Sequence, residues 1–211
     1  MKPRQTLAWG GVVGPAGFVA AWSTAGALTK RYSPVQESIS RLAAVRAPTR
    51  WLMTAGMVCF RVTVPAYSVA LRDSLGGPAW LAATATGLAT LGAGVVPLGT
   101  SSTADGVHYG FAVVGSASLA LTPVLAAQTL SARGHGGAAA ASRLVGALSG
   151  AFLAAAAFPP IHGLSQRIGL TLAEGWLAAS AVAIVSGLME PTSMPTLEAT
   201  RKAFEFPSRS I

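Results

Sequence analysis

The chain has 211 residues, 52% of them hydrophobic and only 10% charged, with a formal net charge of +8. Soluble domains carry roughly 25% charged residues, so this composition excludes a water-soluble globule and points to a chain solvated by lipid. The positive balance does not indicate nucleic acid: Lys and Arg are scattered over short connections beside apolar blocks, where anionic lipid head groups account for them.

A helix needs about 20 mostly apolar residues to cross the ~30 Å hydrocarbon layer. Six such blocks occur, at 7–28, 51–71, 78–100, 108–130, 144–161 and 169–189. They predict an all-α polytopic membrane protein, a six-transmembrane-helix bundle over residues 1–189, with a flexible C-terminal tail at 190–211. Lys2 and Arg4 precede the first block as they would in a secretory signal. Its apolar run is longer than the about 7 to 15 residues of a signal core, however, and Trp9 and Trp22 occupy interfacial positions, so an uncleaved first span is expected.

The first connection, residues 29–50, is the long one. Ser33 before Pro34 reads as a helix start, and Val35, Ile39, Leu42 and Ala43 recur at helical spacing with Glu37 and Arg41 one turn apart. This predicts an amphipathic helix lying in the interface. The second block contains the lone Cys59, which leaves no intramolecular disulfide, and Arg61, about ten residues into the span. A charge at that depth costs roughly 2.5 to 3.5 kcal/mol on insertion scales. Glu174 enters the sixth block from the same face, so Arg61 and Glu174 are expected either to form an intramembrane ion pair or to line an internal polar cavity. The remaining connections are short, and "RGHGGAAAAS" reads as a flexible tether. Pro15, Pro65, Pro97, Pro123 and Pro159-Pro160 place proline in five of the six blocks, inviting kinks and a cavity. Gly10 with Gly14, and Gly146 with Gly150, permit close helix contact.

An even number of spans puts the first, third and fifth connections on one side. That side collects Ser38, Ser40, Arg41, Asp105, His108, His162, Gln166 and Arg167, the candidate ligand-binding residues. Asp105 and His108 at i and i+3 allow three readings. They cap the fourth helix; or they join His162 as ligands of a catalytic zinc-type site, although no H-E-x-x-H or comparable motif is present; or His108 assists Arg41 and Arg167 in holding a phosphate head group. No metal or other cofactor is predicted.

"SPVQESISRLAA", "ADGVHYGFA" and "GLSQRIGLTLAEGW" occur in this order in a prokaryotic six-span family of integral membrane proteins of unknown function. The chain resembles that family over about residues 7–189, and the family is itself distantly similar to the Frag1/DRAM/Sfk1 group, associated with lipid handling and autophagy. The resemblance implies a six-helix bundle with a polar site on one face and no established activity. Its matching positions here are Ser38, Ser40, Asp105, His108, Gln166, Arg167 and Trp176.

The function expected is binding of a lipid or small amphiphile at one membrane face, with membrane lipids and other membrane subunits as partners. The alternatives are a metal-dependent hydrolase using Asp105, His108 and His162, or a small-molecule transporter, against which stands the lack of an inverted repeat. A small excess of Lys and Arg on the terminal side places the termini in the cytoplasm, with the chain in the cell inner (plasma) membrane.

Overall fold

The computed structural model describes residues 2–189, and the tail expected at 190–211 lies outside the described residues. The helices are α1 (Pro3–Ala8), α2 (Gly10–Leu28), α3 (Arg50–Leu75), α4 (Ala79–Val95), α5 (Ser102–Ala132), α6 (Gly136–Ala155) and α7 (His162–Val185), with 3-10 turns at Ile39–Ala43 and Pro159–Ile161. Among the described residues there is no strand. α1 and α2 together form one apolar stretch, Pro3–Leu28, and with α3, α5, α6 and α7 give five stretches long and apolar enough to cross a membrane. α4 is apolar but shorter, at 17 residues, or about 25 Å at 1.5 Å per residue.

Each helix packs on the next, and α7 returns to both α2 and α5 to close the bundle. Small residues such as Ala25, Ala70, Ala83 and Ala126 share the interior with larger ones such as Tyr67, Leu71 and Leu177, while Val62 at 64% and Leu144 at 60% exposure point outward. This suits helices whose large apolar side chains meet lipid and whose small ones let backbones approach. A Cβ at Gly10 would strike the Thr63 carbonyl, and one at Gly14 the Thr63 hydroxyl, so α2 and α3 come together only because both positions are glycine. Across the centre, the Tyr67 and Ser180 hydroxyls join α3 to α7 at 2.6 Å.

Local chemistry moves several element ends. α4 stops at Val95, short of the expected 100, because Pro97 has no N–H to continue a helix and Gly99 adopts φ +84°. α5 begins at Ser102, well before the expected 108, where the Ser101 hydroxyl accepts the Ala104 N–H at 3.1 Å. The expected tether is helical from Gly136, since its alanine run is the best of helix formers. Of the prolines expected within spans, Pro15, Pro65 and Pro123 lie inside helices, whereas Pro97 and Pro159-Pro160 fall at helix ends.

The first connection is not the single amphipathic α-helix expected. A turn closes where the Glu37 N–H reaches the Ser33 carbonyl at 2.8 Å, the chain extends at Ser38, and a 3-10 turn covers Ile39–Ala43. Ile39, Leu42 and Ala43 are buried against the bundle, whereas Val35 is exposed. Tertiary burial of these three side chains, with Ser38 extended in the middle, overrides the helical spacing.

Candidate functional site

Connections one, three and five meet on one face through backbone groups. The Val45 N–H donates to the Leu98 carbonyl at 2.9 Å and the Leu164 N–H to the Val35 carbonyl at 3.0 Å. The Ile39 N–H donates to Gln166 Oε1 at 2.9 Å, fixing the 3-10 turn to the first turns of α7.

Arg167 locks this junction. Its guanidinium donates to the carbonyls of Pro34 at 2.8 Å, Glu37 at 3.1 Å and Gly163 at 2.8 Å. It also donates to the Tyr32 hydroxyl, and it lies 5.3 Å from the Trp22 ring centre and 5.5 Å from that of Tyr32. Burial pushes the Tyr32 phenol above its ordinary pKa, against the opposing pull of the Arg167 charge. Gly163 is needed because a Cβ there would run into the Glu37 and Pro34 carbonyls and the Arg167 guanidinium. Arg167 therefore clasps the first connection. Arg41 is exposed and pairs with Glu37 at 3.1 Å.

Asp105 and His108 organise connection three. Asp105 accepts the Gly99 N–H at 2.8 Å from the first turn of α5. His108, only 2% exposed, places Nδ1 3.0 Å from the Ala93 carbonyl and 2.8 Å from that of Val96, at the end of α4. Two carbonyl neighbours require that Nδ1 carry the hydrogen. His108 thus holds the terminal carbonyls of α4 and does not reach the "HGLSQR" turn, while His162 Nδ1 bonds the Ala156 carbonyl. Among the described residues no group of three His, Cys, Asp or Glu is arranged to hold a metal. The Asp105/His108/His162 triad is not assembled, because each of the three bonds to backbone of a different turn.

The open space lies elsewhere. A groove of about 680 Å³ runs between α5 and α6, walled by Val113, Ala117, Ala120, Gly146, Gly150 and Leu153. Its polar groups come mainly from the loop end, where Ser38, Ser40, His162 and Gln166 line it. Ser40 and Gln166 also border a central cavity of about 80 Å³ between α3, α4, α5 and α7, with Glu174, Thr86 and Thr90 on its wall.

Glu174 is 2% exposed, and neither carboxylate oxygen has a hydrogen-bonding partner among the described residues. The expected Arg61–Glu174 ion pair is not formed: Arg61 turns to another cavity, its guanidinium resting where a Cβ on Gly94 would be 2.8 Å away. Trp176 serves the frame, donating from its indole N–H to the Ser142 hydroxyl at 2.9 Å. Sequence reasoning missed Tyr32, Trp22 and Gly163 as parts of the Arg167 clasp. The one signal was Tyr32 beside the Lys30-Arg31 pair at the end of the first span, the aromatic type expected at an interface.

Residues 12–188 match a family model described as "Protein of unknown function (DUF998)". No curated protein matches this chain, and no solved structure does.

Proposed function

This chain belongs to the DUF998 family, and from the form of its groove we propose that it binds a lipid or small amphiphile at one membrane face. One observation carries the reading: a groove of about 680 Å³, apolar along α5 and α6, is closed at the loop end by Ser38, Ser40, His162 and Gln166. Ligand sites span roughly 300 to 1,000 Å³, with apolar walls and a few placed polar groups that fix orientation. A polar end and a long apolar wall match a head group and an acyl chain. The hydroxyls, imidazole and carboxamide accept and donate hydrogen bonds without a fixed charge, so they suit a glycerol-, sugar- or amide-type head. In this reading membrane lipids are the partners, the chain works alone or as an accessory subunit, and it resides in the inner membrane with its termini cytoplasmic.

The experiment fills the groove. Gly150 lines it, and a Cβ there meets nothing within 4 Å, so Gly150→Phe has room to fold. Purified wild type is expected to quench a fluorescent long-chain amphiphile saturably in neutral detergent, and Gly150→Phe to lose that binding while keeping its thermal midpoint. Equal binding by the two proteins sinks the proposal.

A further inference from the structure

On α3, Arg50, Thr54, Met57 and Arg61 follow the i, i+4, i+7, i+11 stripe of one helix face, and they form one wall of a cavity of about 60 Å³. Ala93, Gly94, Pro97 and His108 form the opposite wall. Among the described residues no acidic side chain lines it and neither arginine has a salt bridge. The Arg50 guanidinium lies 5.6 Å from the Trp51 ring centre, and Trp51 is 77% exposed, as an interfacial anchor would be. Deeper in, Arg61 fits because position 94 is glycine. His108 is 2% exposed, and among the described residues its Nε2 has no partner.

Two like charges line one cavity with no acid on its wall, and an arginine this deep in a span carries a desolvation cost that an opposite charge would offset. With Nδ1 donating to the carbonyls of Ala93 and Val96, the His108 Nε2 lone pair can accept the O–H of a protonated oxyanion. We infer that this cavity is a site for a phosphate-type oxyanion, held by Arg50 and Arg61 with His108 Nε2 at its inner wall. The site is separate from the α5/α6 groove: none of its lining residues is shared with it. The same oxyanion chemistry is offered by an anionic lipid head group and by free phosphate.

The full chain, reconstituted in nanodiscs of phosphatidylcholine alone, is titrated with inorganic phosphate; in parallel, phosphatidic acid is introduced into the nanodiscs without added phosphate. The variants are Arg61→Gln, Gly94→Ala and, as control, Arg72→Gln, whose side chain pairs with Asp73 at 2.9 Å. Loss of one charged hydrogen-bond donor weakens binding about ten- to a hundredfold. Phosphate binding lost to that extent in Arg61→Gln and Gly94→Ala but kept in Arg72→Gln assigns a free-anion site. The same variant pattern seen only as loss of thermal stabilisation by phosphatidic acid assigns a head-group site. Gly94→Ala keeps every charge and only displaces the guanidinium, so it separates geometry from net charge. If neither probe distinguishes wild type from Arg61→Gln and Gly94→Ala, the inference is overturned.

Discussion

Arg167 in α7 lies 5.3 Å from the ring centre of Trp22 in α2, with three carbonyls of other turns around its guanidinium. One side chain thus ties the first span, the first connection and the last span. Arg167→Lys keeps the charge but loses the planar fork that reaches several acceptors at once. The expected loss is on the order of 3 kcal/mol, because buried carbonyls are left without a donor. Thermal unfolding in detergent measures it, and limited proteolysis within residues 29–49 should quicken in parallel. An unchanged midpoint would show that the clasp contributes nothing.

His108→Ala removes the group that holds the Ala93 and Val96 carbonyls at the end of α4. About 1 to 3 kcal/mol of stability is expected to go with it. His108 does not line the α5/α6 groove, so amphiphile binding there is expected to survive. A variant of wild-type stability that no longer bound amphiphile would reverse this assignment.

The bundle was legible because its cause is length and apolarity, which are properties of contiguous sequence. Six blocks became five long stretches and the shorter α4, and connections one, three and five meet on one face, as the alternation of the blocks led one to expect. What failed was decided by contacts between distant residues. Helical spacing over 33–43 yielded to burial of Ile39, Leu42 and Ala43. Nothing in sequence foretold that the carbonyls of Pro34, Glu37 and Gly163 and the Tyr32 hydroxyl would surround the Arg167 guanidinium. Depth alone suggested that Arg61 and Glu174 would pair. Their helices hold them on different cavities, and helix rotation is set by packing that a single sequence does not display.

Glu174 marks a conflict between stability and another demand. A polar group left unpaired in an apolar interior costs roughly 1 to 3 kcal/mol, and both of its oxygens are in that position. Glu174→Leu, at similar volume and beside a cavity with room to adjust, is therefore expected to raise the thermal midpoint in detergent. A lowered midpoint would mean that the carboxyl is satisfied in the working protein by something that occupies the central cavity, and native mass spectrometry of the wild type would reveal its mass.

Gln166 joins the frame to the groove. Its Oε1 accepts the N–H of Ile39, a residue only 3% exposed, while the same side chain lines both the groove and the central cavity. Gln166→Leu leaves the Ile39 N–H buried without an acceptor and should cost about 1 to 3 kcal/mol. Gln166→Glu keeps an acceptor at the same place and should hold the 3-10 turn, but it brings a negative charge to the head-group end of the groove. If the groove takes an amphiphile by that end, Gln166→Glu will be stable and will discriminate against anionic amphiphiles relative to neutral ones of equal chain length, whereas wild type will not. Equal selectivity in the two proteins would mean that the bound molecule does not place its head at Gln166.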